Sequence, residues 1–215
     1  MAWRNPFVPL TQEGKYWLGF IAADGNISGG LYPRLTLKLQ IGDLDHLRRF
    51  ASFLGAPSPC VFTQTGRSKP QAKVAKRSRE LYDTLEEYGI TPHKSKTLTV
   101  PALLSQSPHF WRGYFDGDGS VWTYRNTLYM ELCNGTPEIL EQWCAFVHPF
   151  TGPMTVRKMS KNHNAYRARV GGPKAVAALA SMVPSGTSIL LGRKWQRAPL
   201  NLQGLLSLLA DPTRR

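Results

Sequence analysis

The chain has 215 residues, 42% of them apolar, which is enough to bury a core as one domain or two small ones. Its 27 Lys and Arg against 14 Asp and Glu give a formal charge of +13, split as +6 over residues 1–108 (14 basic, 8 acidic) and +7 over 109–215 (13 basic, 6 acidic). Each half therefore carries its own excess, and a polyanionic partner is the simplest reason for it. The apolar runs are too short to cross a membrane, and the opening "MAWRNPF" lacks a secretory pattern, so no membrane role and a cytoplasmic or organelle-encoded product are expected. Cys60, Cys133 and Cys144 have neither disulfide nor metal spacing, and the five histidines are scattered; buried or half-buried thiols are expected.

Read in order, residues 11–24 predict a helix that starts near Thr11. "LYPRLTLKLQI" (31–41) alternates as a strand, with Leu31, Leu35, Leu37, Leu39 and Ile41 on one face and Arg34, Thr36, Lys38 and Gln40 on the other. Asp43 is the expected N-cap of a helix that Gly55 ends. Strands are predicted at 60–65 and 71–77, then a helix from Ser78 to Tyr88. In the second half, Ser107 and Pro108 open a helix, 121–134 reads as a hairpin, and Thr136-Pro137-Glu138 starts another helix. Strands at 154–159 and 165–170 flank "SKNHN", Pro173 opens a helix, and a final leucine-rich helix is predicted around 200–209. Both halves thus run helix, two strands, helix, two strands, helix, with slight sequence identity between them. The expected boundaries are 1–100 and 109–215, with 101–108 as linker.

A sheet with one apolar face packs that face on helices and leaves the other open. The open faces would present Arg34, Lys38, Gln40, Gln71, Lys73 and Arg77 from the first half. Arg125, Thr127, Glu131, Arg167 and Arg169 would come from the second. A two-stranded ribbon fits the major groove of duplex DNA, where such side chains read base edges.

The two motif helices share more than their order. "YWLGFIAADGN" from Tyr16 and "FWRGYFDGDGS" from Phe110 each run into an Asp-Gly pair at Asp24 and Asp118. Gly19 and Ala23, and Gly113 and Gly117, are spaced four apart on one helix face, which permits close helix–helix approach. Phe20, Ile21, Tyr114 and Phe115 would seal the flanks, and Gly25 and Gly119 would cap the helices in the left-handed conformation. A carboxylate at a helix C-terminus is poorly placed, and two such ends together compound the repulsion. A magnesium ion between Asp24 and Asp118, with manganese as a substitute, would relieve it; the carbonyls of Ala23 and Gly117 would complete the protein's donors. Such a centre suits phosphodiester hydrolysis.

"WLGFIAADG" (17–25) and "WRGYFDGDG" (111–119) resemble the two signature segments of the LAGLIDADG homing endonucleases in their single-chain form. The first departs from the pattern in having Ala22 where the second keeps Asp116. The resemblance spans essentially the whole chain. It implies an α+β fold, a pseudo-symmetric duplication of αββαββα with two antiparallel sheets forming a saddle over a long DNA site. It also implies double-strand cleavage across the minor groove that leaves four-nucleotide 3′ overhangs. It implies a catalytic basic residue in each of "TPHKSKTL" (91–98) and "LGRKWQRA" (191–198), taken as Lys94 and Lys194 with Lys96 and Arg193 as competitors. A polar residue at the end of the second strand, near the attacking water, is also implied. Asn134 can serve there and Ile41 cannot, and the adjacent Gln40 is expected on the other face, which raises unequal cutting of the two strands. The alternatives are an intron RNA maturase, with intron RNA as a further partner, and a DNA-binding protein without activity. No splice nucleophiles flank the chain, so a freestanding, intron-encoded monomer is expected.

Overall fold

The computed structural model describes residues 3–62, 70–160 and 163–196. Thr11 accepts a hydrogen bond from the Gly14 N–H and opens helix α1 (Gln12–Asp24). Pro108, in the first turn, opens its counterpart α5 (Pro108–Asp118). Tyr16, Trp17, Phe20 and Ile21 of α1 and Phe110, Trp111, Tyr114 and Phe115 of α5 have no exposed surface, so the pair forms the centre of the core. Glycine is what lets them meet. A Cβ on Gly19 would overlap the Phe110 carbonyl, and one on Gly113 would overlap the Tyr16 carbonyl. The methyl would have to be accommodated by rigid backbone, at a cost on the order of 1–3 kcal/mol or more.

After α1 the chain forms β1 (Asn26–Ser28), β2 (Arg34–Gln40), α2 (Leu44–Leu54), β3 (Cys60–Phe62), β4 (Gln71–Arg77) and α3 (Arg79–Glu87). A short α4 (Ala102–Ser105) precedes α5, and Gln142 clamps this connection by accepting from the Val100 N–H and donating to its carbonyl. The second half continues with β5 (Ser120–Tyr124), β6 (Thr127–Asn134), α6 (Pro137–Thr151), β7 (Val156–Ser160), β8 (His163–Gly171), α7 (Pro173–Ser181) and α8 (Gly192–Trp195). Two four-stranded antiparallel sheets result, ordered β1-β2-β4-β3 and β5-β6-β8-β7. The same α+β arrangement therefore occurs twice.

In the first sheet Leu35, Leu37, Leu39, Ala72 and Val74 point inward, toward Leu47, Phe50 and Leu54 of α2 and Leu81 and Leu85 of α3. In the second, Leu128, Met130, Leu132, Ala168 and Val170 meet α6 and α7 through Ile139, Leu140, Trp143 and Leu179. Each sheet is apolar on one side, as the alternation required.

Several expectations need correction. Leu31 and Ile41 are exposed, because the strand is only Arg34–Gln40 and the chain turns into a 3-10 turn at Ile41–Asp43. Its hairpin partner is β1, three residues too short to display a period. Asp43 precedes α2, yet its side chain makes no cap hydrogen bond, being paired with Arg193 instead. Gly25 and Gly119 are extended, at φ −69° and −73°, and not left-handed. They are needed because a Cβ would press on Ile21 and Phe115 of their own helices. Cys60 is exposed on the edge strand β3, while Cys133 and Cys144 are half-buried. Predicted strand residues 63–65 and the leucine-rich helix around 200–209 lie outside the described residues. Among the described residues, no helix is long and apolar enough to cross a membrane.

Candidate nuclease centre and nucleic-acid interface

Asp24 and Asp118 end α1 and α5 side by side, because the glycine contact brings the two C-termini together. The Asp24 carboxylate is exposed and that of Asp118 half-buried. Burial pushes the Asp118 carboxyl up to about 6, and the Asp24 charge pushes it the same way. Asp24 keeps an open solvent side, yet the mass of both halves around it withdraws enough water to raise it too, with Lys194 and Lys94 opposing. The junction therefore holds two carboxylates that resist being charged together.

Lys94 and Lys194 meet them there. Lys94 Nζ donates to the Ala23 carbonyl at 3.3 Å, and Lys194 Nζ donates to the carbonyls of Gly117 at 2.6 Å and Phe115 at 3.0 Å. Burial lowers both lysines, Lys194 to about 8, while the aspartates pull them back up. Of their competitors, Lys96 is exposed and Arg193 is tied to Asp43 at 2.8 Å. The ammonium groups thus stand against the two carbonyls expected to bind a cation, and show that these oxygens draw positive charge. Two carboxylates and two carbonyls, all hard oxygens at one point, fit a magnesium-like ion. Among the described residues no three His, Cys, Asp or Glu side chains form a metal cluster, so carbonyls would have to complete any such donor set.

Asn134, at the end of β6, donates from Nδ2 to the Tyr114 hydroxyl at 2.7 Å and accepts from the Thr136 N–H at 3.0 Å. This ties it to α5 beside the centre, since the Asp118 charge is also felt at Tyr114. The match expected at Ile41 is corrected: β2 ends at the exposed Gln40, as β6 ends at Asn134, and Ile41 lies beyond it in the 3-10 turn.

The open face of the first sheet carries Arg34, Lys38, Gln40, Lys73 and Arg77 exposed and Gln71 half-buried. Register sets Arg34 opposite Arg77, Lys38 opposite Lys73 and Gln40 opposite Gln71. Like charges placed directly opposite each other are unfavourable by roughly 0.2–1 kcal/mol a pair, a cost that an anionic partner would remove. On the second sheet Glu131 accepts from Arg169 at 2.7 Å, with Arg167 at 3.9 Å, and Thr127 is half-buried opposite Tyr124. Arg125 is not on the strand face. It occupies the β5–β6 turn at φ 46°, with its guanidinium over the Tyr124 ring. Trp122 stacks on Tyr129 at 5.7 Å, under Arg169, and Arg157 lies opposite Arg167; the sequence reading included none of these three. Their period-2 placement was visible, but not which strand they faced.

A buried network beneath the centre was also missed. Asp116 accepts hydrogen bonds at 2.7 Å from the Tyr16 hydroxyl, the Leu191 N–H and Trp195 Nε1. Arg112, one turn earlier, donates to the carbonyls of Met182 and Ile189. The available signal was the polar Arg112–Asp116 pair, spaced four apart where α1 has Leu18 and Ala22.

No protein-family model and no curated protein matches the chain. Solved structures do. The homing endonuclease I-WcaI, bound to its DNA recognition sequence, superposes with a TM-score of 0.63 at 12% identity, over 95% of this chain and 88% of that one. I-DmoI in complex with DNA and Ca gives 0.59 at 14% identity, over 90% and 96%. The N-terminal LAGLIDADG domain of DUF199/WhiA gives 0.54 at 15% identity, over 87% of each chain. At these identities it is the architecture that is shared: the chain has the fold of the LAGLIDADG homing endonucleases.

Proposed function

We propose that the protein is a site-specific double-stranded DNA endonuclease that hydrolyses phosphodiester bonds in a long target with a divalent cation, leaving 3′ overhangs. One observation carries this reading: two opposed aspartates, the buried Lys194 and the half-buried Lys94 share a junction between a pair of open, basic sheets. The DNA-bound state of I-WcaI and the DNA and Ca complex of I-DmoI, which share the fold, support it. We read residues 1–100 and 109–215 as the two halves, joined by 101–108, and the working form as a monomer.

Asp24, Asp118 and the Ala23 and Gly117 carbonyls would hold magnesium, which when bound would offset phosphate charge and make a water more acidic. Around it the chain's own groups do the rest. Lys94 and Lys194 stabilise negative charge growing on the phosphate, in a site where burial strengthens each interaction. Asn134, already anchored by Tyr114 and Thr136, orients the water on its side. The open faces, through Arg34, Lys38, Gln40, Gln71, Lys73, Arg77, Thr127, Glu131, Arg167 and Arg169, with Arg125 at the hairpin tip, hold the duplex and read it.

The test is a cleavage selection over a random duplex library, run with magnesium and in parallel with calcium. Magnesium-dependent products of one sequence class are expected. Enrichment by binding without any cut would replace this reading with that of a DNA-binding protein, and recovery of neither would favour intron RNA.

A further inference from the structure

We infer that Asp116 is a positioning residue for Lys194, and that it makes the two sides of the nuclease centre unequal. The inference rests on the nuclease reading above.

Segment 182–195 crosses α5 and is fastened to it by side chains. Arg112 holds the Met182 and Ile189 carbonyls at 3.1 and 2.9 Å. Asp116 holds the Leu191 N–H and Trp195 Nε1, each at 2.7 Å. Both clamps are almost wholly buried, at 2% and 1% exposure, so water does not compete for these bonds. Lys194 lies between the two points that Asp116 grips. Its Nζ is delivered to the carbonyls of Gly117 and Phe115 on the same helix, and Trp195 packs edge-on against Phe115. A third tie reaches the other half, where Arg193 pairs with the buried Asp43. The lysine enters the centre with its rotamers already restricted.

Among the described residues Lys94 has no such support. The positions matching Arg112 and Asp116 are Leu18 and Ala22, which offer no hydrogen bond. Lys94 sits in a 3-10 turn, Lys94–Lys96, closed by its own backbone bonds, and reaches one carbonyl at the longer distance of 3.3 Å. Ordering a long side chain costs rotamer freedom, and the second half meets more of that cost on folding than the first does.

The duplex recovered by the library selection, labelled differently on each strand and carried on a supercoiled plasmid, tests this. Asp116→Ala should slow one strand by about 10–100-fold relative to the other, as expected when a catalytic group is misplaced by about 1 Å, so that nicked circles accumulate. Lys194→Met should slow the same strand, and the double variant should be no slower than Lys194→Met alone, because the aspartate acts through the lysine. Asp116→Asn, which keeps an acceptor in place, should recover much of the lost rate with the same strand bias; it also carries the test if Asp116→Ala does not fold. Equal slowing of both strands, or additive losses in the double variant, overturns the inference and leaves the nuclease reading standing. A wild-type protein that cuts neither strand overturns both.

Discussion

Across the first sheet Arg34 faces Arg77 and Lys38 faces Lys73, whereas across the second Glu131 sits between Arg169 and Arg167. The two halves share strand order and packing, yet they handle charge differently. The first leaves its cations opposed, with Lys38 and Lys73 over the Phe62 ring and no ion pair to them among the described residues. The second ties two of its arginines to Glu131, with Trp122 and Tyr129 stacked beneath Arg169, although Arg157 still stands opposite Arg167. A fold can therefore be duplicated while the electrostatic work is divided. The first sheet keeps its cations opposed, and the second fixes two of its own against a carboxylate.

Each half ends its central helix in an aspartate, and the largest effect is expected there. Asp24→Asn and Asp118→Asn should each reduce cleavage by at least about 100-fold, the scale of losing a principal electrostatic or metal-binding group. DNA affinity should change far less, because positioning contacts are spread over many phosphates. Strand-resolved cleavage and a binding isotherm on the selected duplex measure both. Wild-type rates in either variant would remove that aspartate from the centre.

The likeness and the difference were not equally legible. Strand β4 coincides with its predicted range because Gln71–Val74 alternates polar with apolar and Pro70 and Ser78 bracket the run. The paired Asp-Gly ends and the small residues four apart were local patterns, and they led to the α1–α5 contact. Strand β1 escaped because three residues carry no period. Gly25 and Gly119 were recognised as special for the wrong reason, since close approach and a left-handed turn both call for glycine. The roles of Asp116, Arg193 and Glu131 depend on partners 75, 150 and 38 residues away. No local pattern encodes such distances; they follow only once the helix pair and strand registers are set.

Next in size is a pH effect at the shared centre. Asp118, raised to about 6, and Asp24, raised in the same direction, take up protons as pH falls through a range where an ordinary aspartate stays charged. A protonated carboxyl is a poor ligand, so the magnesium needed for half-maximal cleavage should rise about tenfold between pH 7 and pH 5. Above about pH 8 the limit passes to Lys194, whose ammonium begins to lose its proton. Cleavage titrated with magnesium at each pH checks this. A requirement unchanged down to pH 5 would mean that the carboxylates are not competing with protons for the ion.

Pairs of substitutions on the sheets separate the two faces directly. Lys38→Ala with Lys73→Ala should weaken DNA binding about tenfold and flatten the salt dependence by nearly two units, as two phosphate neutralisations are lost. Arg167→Ala with Arg169→Ala removes the same formal charge, but Glu131 has already offset part of it, so the salt slope should change by only about one unit. Affinities measured from low to physiological salt give both slopes. Equal slopes would show that the Glu131 pairing opens on binding and that the faces do not differ in the bound state.

The smallest effect falls on Glu131 itself. Glu131→Gln keeps the shape and removes the charge, freeing Arg169 and Arg167 for phosphate. Affinity for random duplex should rise about two- to threefold, while the melting temperature drops slightly because a partly exposed ion pair contributes only about 0.2–1 kcal/mol. The selected duplex discriminates further. If Glu131 only neutralises its neighbours, binding to that duplex rises in parallel with random DNA. If it also accepts from a base edge, specific binding falls while random binding rises, and the second sheet is then a reader whose arginines are held in register by the same carboxylate that contacts the base.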